Sequence, residues 1–311
     1  MLTQINGLHH VTSLASSARA TDAFFTRVLG LRRVKKTVNF DAPEVYHLYY
    51  GDAVGTPGTV MTYFPFPGAA RGRPGTGEVA TTLFAVPEGA LPWWRERLAA
   101  HKVSGLAEQT VLGEKRLAFA GPDGDGFALA EVPGDARVPW ESHGVDADHA
   151  IRGFRGARLR LAEAGPTEEL LRFMNYAERD RAEGIVRLGV PGGNGADILE
   201  LETAPGAPEA RQGAGSVHHI AFSVDDRERQ REVREALADS GHSVTPVIDR
   251  DYFWAIYFRA PGGVLFEVAT DEPGFERDED RAHLGEALKL PSQHAHLRER
   301  LEEKVLEPLD D

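Results

Sequence analysis

A pair of adjacent histidines inside an apolar stretch occurs twice in this chain of 311 residues. The first stretch is LHHV at residues 8–11, and the second is VHHI at residues 217–220. A turn sequence recurs as well, as FAGPDG at 119–124 and FRAPGG at 258–263. Because the same strand and the same turn return far apart in the chain, the sequence predicts repeated supersecondary units.

Strand, helix and turn signals divide the chain into four similar segments. They open near residues 8, 79, 153 and 217, and each predicts one strand, one amphipathic helix and three further strands. Two such units can close a cup-shaped sheet, and four make two cups. The sequence therefore predicts an α+β fold of four tandem βαβββ units that form two cup-shaped half-barrels.

Stretches rich in Pro and Gly set the predicted domain boundaries. Residues 1–135 are expected to hold the N-terminal pair of units, and residues 153–275 the C-terminal pair. Residues 136–152 are predicted to link them. Residues 276–311 read as a charged, partly helical tail that belongs to neither cup.

Composition excludes several classes of function. The net charge of −13 argues against a partner such as nucleic acid or an anionic membrane surface. The chain has no cysteine, so disulfides, thiolate metal sites and cysteine nucleophiles are excluded, and a metal must be held by His and carboxylate. No signal peptide and no apolar run of about 18 residues is visible, which predicts a cytoplasmic protein.

Strand alternation assigns the two histidines of each pair to different faces. His10 shares its face with Thr12, and His219 lies on a face of small residues. The second histidine of each pair is therefore predicted to point into a concave surface. The first histidines, His9 and His218, are expected on the packed side or at the strand edge.

A glutamate interrupts the apolar strand VLFEVA at residues 264–269. A lone carboxylate in such a strand costs several kcal/mol unless it is paired or binds a cation. Glu267 follows the second glycine of its turn by four residues, and the equivalent place in the second unit is Ala128. Only one cup is therefore expected to carry a metal site.

Together, His10, His219 and Glu267 form a two-histidine, one-carboxylate set. Such a set suits non-haem Fe(II) and leaves coordination positions free for substrate and oxygen. A catalytic Zn(II) site uses similar ligands, and the residues alone do not choose between the two metals. The lack of a fourth protein ligand favours an open, catalytic site.

Motifs along nearly the whole chain carry a family resemblance. They are GLHHVT (7–12), VKKTVN (34–39), YHLYYGD (46–52), PGT (57–59), DYF (251–253), IYFR (256–259), PGGVLFE (261–267), TDEPGF (270–275) and LKLP (288–291). In these motifs the chain resembles the vicinal-oxygen-chelate superfamily, which includes extradiol dioxygenases, glyoxalase I and antibiotic-resistance proteins. Within it, the chain is most similar to the hydroquinone-type ring-cleaving dioxygenases.

This resemblance implies a function as well as a fold. It implies that the first and fourth units form the metal-binding cup of a vicinal-oxygen-chelate fold. The implied activity is Fe(II)-dependent cleavage of a hydroquinone-like aromatic by O₂, with Mn(II) or Zn(II) as alternative metals. The expected partners are a small aromatic substrate and O₂, without nucleic acid or membrane, and a homo-oligomer is compatible with the sequence.

The resemblance also implies roles for residues around the metal ligands. These are His9, Thr12, His218, Arg250 and Tyr257. Arg250 could hold an anionic oxygen of substrate or product, because guanidinium is a permanent cation. Tyr257 could place a hydroxyl near bound substrate, and His218 could act as an acid or a base.

Three alternatives stay open at this point. A catechol extradiol dioxygenase or a glyoxalase-like isomerase would use the same scaffold, and a small-molecule sequestering protein would be a non-enzyme version. Glyoxalase chemistry expects a fourth ligand from the last strand of the first unit, but residues 60–63 (VMTY) offer no carboxylate or amide. The intact triad disfavours the sequestering protein. His47 and Trp254 are interpreted as structural.

Overall fold

Sixteen strands form two curled sheets of eight strands each in the computed structural model, which describes residues 1–182 and 184–309. The order of one strand, one helix and three strands repeats four times along the chain. The predicted α+β fold of four βαβββ units in two half-barrels is therefore confirmed.

The four units have the following elements. The first comprises β1 (Leu8–Ala15), α1 (Ala18–Ala23), β2 (Arg32–Val38), β3 (Tyr46–Gly51) and β4 (Val60–Pro65). The second comprises β5 (Glu78–Val86), α2 (Leu91–Ala100), β6 (Ala107–Val111), β7 (Glu114–Ala120) and β8 (Gly126–Glu131). The third comprises β9 (Gly153–Leu161), α3 (Gly165–Phe173), β10 (Ala177–Ala182), β11 (Ile185–Gly189) and β12 (Ile198–Thr203). The fourth comprises β13 (Val217–Val224), α4 (Arg227–Asp239), β14 (Ile248–Asp249), β15 (Phe253–Arg259) and β16 (Leu265–Pro273).

Local signals in the sequence explain where the first helix starts and stops. The Ser17 side chain accepts a hydrogen bond from the Ala20 amide at 3.2 Å and caps α1. A π-helical turn, Phe24–Val28, continues the helix and buries Phe25. Gly30, with φ of +72°, then turns the chain toward β2. No helix within the described residues is long and apolar enough to cross a bilayer.

Each sheet combines one unit from each half of the chain. The first sheet has the order β14-β15-β16-β13-β1-β4-β3-β2, and the second has the order β10-β11-β12-β9-β5-β8-β7-β6. The central contacts are antiparallel pairs, β1 with β13 and β5 with β9. The expected pairing of the first and fourth units in one cup is confirmed, and the second and third units build the other.

The fourth unit has a shorter first edge strand than its sequence suggests. Residues 243–249 are predicted as strand, but only Ile248–Asp249 pairs regularly with β15. Pro246 has no amide hydrogen, so it cannot continue the ladder. Before it, Thr245 exchanges hydrogen bonds with Tyr257 through its amide and its hydroxyl, both at 3.0 Å.

The C-terminal tail packs along the first sheet. Residues 310–311 of the predicted tail lie outside the described residues. Its helical elements are the 3₁₀ turns Phe275–Arg277, Arg281–His283 and Ser292–Leu297, α5 (Arg298–Arg300) and the π turn Leu301–Val305. The Lys289 amide donates to the Lys36 carbonyl of edge strand β2 at 2.9 Å. Leu284 joins the apolar cluster inside the first cup. The tail thus covers the edge of the sheet that carries the paired histidines.

Candidate metal centre

Three buried side chains meet at the centre of the first cup. His10 lies on β1, His219 on β13 and Glu267 on β16, and each is at most 5% exposed. The two Nε2 atoms are 3.3 Å apart. The Glu267 Oε2 atom lies 3.4 Å from His10 Nε2 and 2.8 Å from His219 Nε2. The structure therefore brings together three groups that are far apart in sequence, and their donor atoms lie within 4.8 Å of one another.

The donor atoms have the spacing that a shared metal ion requires. Ligands about 2.1 Å from one ion, at right angles to each other, are about 3 Å apart. Both carboxylate oxygens of Glu267 are buried, and neither has a hydrogen-bond partner in the described residues. The ring nitrogens approach that carboxylate without hydrogen-bond geometry. A cation would satisfy this buried charge, so the three residues fit a divalent metal.

The protonation states also suit metal binding, which needs neutral imidazoles and an ionised carboxylate. Burial lowers the pKa of His219. Burial alone would raise the pKa of Glu267, but the adjoining His10 and His219 outweigh it and hold that pKa well below its ordinary value. The imidazole of His219 and the carboxylate of Glu267 are therefore in the form that coordinates a metal at neutral pH.

A β-bulge in each central strand brings the first histidine of each pair beside the second. The β1–β13 register shifts between Leu8 and His10, which leaves His9 unpaired, and again between Thr12 and Ser13, which leaves His218 unpaired. As a result, His9 and His10 both pack on the Phe253 ring, with centroids 5.2 and 5.0 Å away. The prediction that the first histidines lie on the packed side or at the strand edge is wrong, because strict alternation fails at a bulge.

Each first histidine contacts the ring of the second. His9 Nδ1 and His10 Nδ1 are 2.9 Å apart, and His218 Nδ1 and His219 Nδ1 are 2.7 Å apart. These contacts occupy the Nδ1 atoms and leave both Nε2 atoms for the centre. Burial, followed by the neighbouring histidine, lowers the pKa of His9 to about 3 and that of His218 to about 4. Both imidazoles are therefore neutral at pH 7.

A cavity of about 500 Å³ opens beside the triad. Its wall is mostly aromatic and apolar. The apolar and aromatic lining residues are Leu14, Phe40, Ala42, Tyr49, Phe64, Phe66, Phe253, Tyr257 and Leu265. A space of this size and lining suits a small aromatic molecule.

Arg250 and Tyr257 lie together in the cavity wall, as the sequence predicts for site residues. The Arg250 Nε atom donates to the Tyr257 hydroxyl at 3.3 Å, and its guanidinium lies over the Phe40 and Tyr257 rings. Its acidic contact is with Asp41 at 3.8 Å, and that carboxylate is 86% exposed. Tyr257 pairs with Glu267 across neighbouring strands. The cation therefore stays close to the metal ligands with only a weak ion pair.

Thr12 lies behind the cavity surface. It is fully buried, and its hydroxyl shares a hydrogen bond with the Thr62 hydroxyl at 2.9 Å. Thr12 pairs with Thr62 across β1 and β4, just as Ala221 pairs with Glu267 across β13 and β16. Thr62 therefore holds the position in the first unit that Glu267 holds in the fourth. A threonine therefore stands where glyoxalase chemistry expects a fourth ligand.

His47 is a cavity residue that the sequence analysis interpreted as structural. It lines the cavity, with Nε2 2.9 Å from the Thr62 hydroxyl and Nδ1 2.8 Å from the Tyr49 hydroxyl. Alternation along β3 puts His47 and Tyr49 on one face, and this was the signal that could have identified them. Trp254 is placed differently, since it contacts the Arg227 guanidinium at 4.6 Å and does not line the cavity.

Glu267 has a counterpart in the second sheet. Glu200 on β12 pairs with Arg158 on β9, as Glu267 pairs with Ala221 on β13. Strands β9 and β13 each have a bulge at the same distance before these residues, so the two pairs hold equivalent positions in their sheets. The expectation that only one cup carries a metal site rested on Ala128 of the second unit. The third unit supplies a carboxylate to the other cup, but that cup gathers no group of three metal-capable side chains among the described residues.

Guanidinium groups surround Glu200 instead of histidines. The Glu200 side chain is fully buried, and its ion-pair partners are Arg116 at 2.6 Å, Arg158 at 2.8 Å and Arg187 at 2.8 Å. The positions equivalent to His10 and His219 are Thr81 and Gly156. Among the described residues, only the first cup gathers three metal-ligating groups. Fixed cations thus neutralise the carboxylate of the second cup.

Comparison with known proteins agrees with this geometry. The model of the glyoxalase/bleomycin resistance protein/dioxygenase superfamily matches residues 168–268. The chain is 40% identical over 301 residues to the protein named as ring-cleaving dioxygenase MhqO of Bacillus subtilis (strain 168), with 96% of each chain covered. It is 34% identical over 319 residues to the chlorohydroquinone/hydroquinone 1,2-dioxygenase of Sphingobium indicum, with 98% of each covered. A crystal structure of a dioxygenase from Bacillus subtilis matches with a TM-score of 0.95 and 38% identity, over 99% of this chain and 98% of that one. The chain therefore belongs to the glyoxalase/bleomycin resistance protein/dioxygenase superfamily and, within it, to the ring-cleaving dioxygenases.

Proposed function

We propose that this protein is an Fe(II)-dependent dioxygenase that cleaves a hydroquinone-like aromatic ring with O₂. The observation that carries the proposal is the buried set of His10, His219 and Glu267 at the wall of an aromatic cavity. A relative at 34% identity is named for chlorohydroquinone and hydroquinone, which supports this substrate class. When bound, the metal would supply open coordination positions and electron transfer between an electron-rich ring and O₂.

The protein's own groups would position the ring and balance its charge. Arg250 offers a permanent cation near the triad for an anionic oxygen of substrate or product. Tyr257 offers a partly buried side chain whose hydroxyl pKa is raised, first by desolvation and then by Glu267, so the hydroxyl stays protonated and able to donate. His218 offers an imidazole at the cavity surface, in contact with the His219 ring, as an acid or a base.

Oxygen uptake separates this proposal from its alternatives. The protein would be reconstituted anaerobically with Fe(II), and in parallel with Mn(II) or Zn(II), and then exposed to O₂ with hydroquinones or catechols. The proposal expects uptake with hydroquinones in the Fe(II) form. Uptake with catechols alone would indicate an extradiol dioxygenase, and binding without uptake would indicate a sequestering protein. Thr62, at the place of a fourth ligand, argues against the glyoxalase alternative.

We expect Arg250→Ala and Tyr257→Phe to reduce activity without removing metal. Neither side chain is one of the three proposed ligands, and both line the cavity next to them. Loss of one positioned donor near developing negative charge typically lowers turnover about 10²–10³-fold. Iron content, melting temperature and turnover would be measured for both variants. Near-wild-type turnover with iron intact would exclude both residues from the chemistry.

A further inference from the structure

A hydrogen-bonded chain of four buried side chains leads from strand β1, which carries His10, to the cavity. It runs from Thr12 to Thr62, then to His47 Nε2, and from His47 Nδ1 to the Tyr49 hydroxyl, with contacts of 2.9, 2.9 and 2.8 Å. Its first member is two residues from His10 on β1. The last two members line the cavity. The chain therefore links the strand of one proposed metal ligand to the cavity surface.

The free hydrogen-bonding capacity of this chain lies on Tyr49. Both ring nitrogens of His47 are already engaged, so His47 has no donor or acceptor left for a ligand. The Tyr49 hydroxyl makes one hydrogen bond among the described residues, although a hydroxyl can make up to three. Tyr49 is buried from bulk solvent and lines the cavity, so a ligand in the cavity is the partner that can use the remaining hydrogen-bonding capacity of its hydroxyl.

His47 fixes the position of the Tyr49 hydroxyl whichever way the hydrogen bonds run. Burial lowers the pKa of His47 well below 6.5, so the imidazole is neutral, with one nitrogen donating and the other accepting. If Nδ1 accepts, the Tyr49 oxygen is free to accept from a ligand hydroxyl. If Nδ1 donates, the Tyr49 hydroxyl is free to donate. In both arrangements His47 fixes where the Tyr49 hydroxyl lies.

Strand pairing gives independent support for a cavity role. Tyr49 on β3 pairs with Thr62, and Tyr257 on β15 pairs in the same way with Glu267. Thr62 and Glu267 hold equivalent positions in their units. The two tyrosines therefore enter the cavity from the two halves of the sheet.

We propose that the Tyr49 hydroxyl binds the second oxygen of a para-dihydroxylated ring, and that His47 positions that hydroxyl. This inference rests on the proposed function for its substrate class. The two oxygens of a catechol are adjacent, so both can reach one metal. The second oxygen of a hydroquinone lies across the ring, so it needs a polar partner elsewhere in a mostly apolar wall. Tyr49 is such a partner, and its strand lies on the other half of the sheet from the strand of Tyr257.

Equilibrium binding without oxygen tests this inference separately from turnover. Hydroquinone and phenol would be titrated anaerobically into Fe(II)-loaded wild type and into Tyr49→Phe, His47→Phe and His47→Asn. Phenol is the matched probe because it lacks only the second oxygen. Tyr252→Phe is the matched control, since it also removes a tyrosine hydroxyl from the same apolar cluster. The Tyr252 hydroxyl donates to Asp278, and Tyr252 does not line the cavity.

We expect Tyr49→Phe to weaken hydroquinone binding about tenfold and to leave phenol binding unchanged, as for one lost hydrogen bond. His47→Phe should weaken hydroquinone binding about threefold, and His47→Asn should recover most of this loss because its amide can reach the Tyr49 hydroxyl. Tyr252→Phe should bind both ligands like wild type. These variants also share the metal content of wild type, which is measured alongside.

Equal losses for hydroquinone and phenol, or no loss in Tyr49→Phe, would overturn the inference. If Tyr49→Phe does not fold, the His47→Phe and His47→Asn pair decides the question in the same way. If wild type takes up oxygen with hydroquinone but Tyr49→Phe loses no hydroquinone affinity relative to phenol, the proposed function stands and this inference is contradicted. If hydroquinone binding depends on Tyr49 but no oxygen is taken up, this inference stands and the proposed function is contradicted.

Discussion

Replacing Glu267 with glutamine is expected to remove bound metal and abolish turnover. The carboxylate is the single negative charge among the three proposed ligands, and it is fully buried. A neutral amide cannot compensate a divalent ion in this setting, so the ion would be lost on dialysis. Metal analysis should find about one ion per chain in wild type and a small fraction of that in Glu267→Gln.

The second cup provides a matched control for this substitution. Glu200→Gln makes the same chemical change at the equivalent strand position of the other sheet. It should keep the metal content of wild type, provided that the protein is studied under conditions where it stays folded. Full metal occupancy in Glu267→Gln, or equal metal loss in both variants, would contradict the assignment of the site to the first cup.

Glu200→Gln is expected instead to destabilise the protein by about 3–5 kcal/mol. The substitution leaves three guanidinium groups around a neutral side chain, and removal of one partner from a buried ion cluster has a cost of this size. The partners are Arg116, Arg158 and Arg187. Denaturant-induced unfolding would measure the loss. Glu114→Gln is a control in the same cluster, since Glu114 is partly exposed and should cost less.

The same carboxylate predicts how stability depends on pH. Burial alone would raise the pKa of Glu200, but the arginines outweigh it and lower this pKa from 4.5 to about 2. A lowered folded-state pKa stabilises the protein above pH 4.5, and this contribution is lost as the pH falls toward 2. Its size is roughly 3 kcal/mol. Wild type should therefore lose more stability than Glu200→Gln between pH 5 and pH 2, and parallel losses would contradict the role of this ion cluster.

The repeat made much of the fold predictable from the sequence. The two double-histidine strands and the recurring turns mark equivalent points of the units, and the observed strands follow them. The triad was predictable because a carboxylate in an apolar strand and paired histidines are unusual in a core. Pairing of the first and fourth units came from the family resemblance, since nothing in local periodicity says which strands become neighbours.

Features that depend on exact register were not predictable in this way. Alternation placed His9 and His218 on the wrong side, because a bulge changes the face without leaving a clear mark in the sequence. His47 looked structural because its two partners come from β3 itself and from β4. Glu200 was overlooked because its meaning depends on arginines from three other strands.

One measurement tests the central claim most directly. Wild type and the His10→Ala, His219→Ala double variant would be reconstituted anaerobically with Fe(II), assayed for bound iron, and followed for O₂ uptake with hydroquinone. The account predicts about one iron per chain and one O₂ consumed per ring opened in wild type, with neither in the double variant. Full iron occupancy and unchanged uptake in the double variant, or no uptake in iron-loaded wild type, would contradict it.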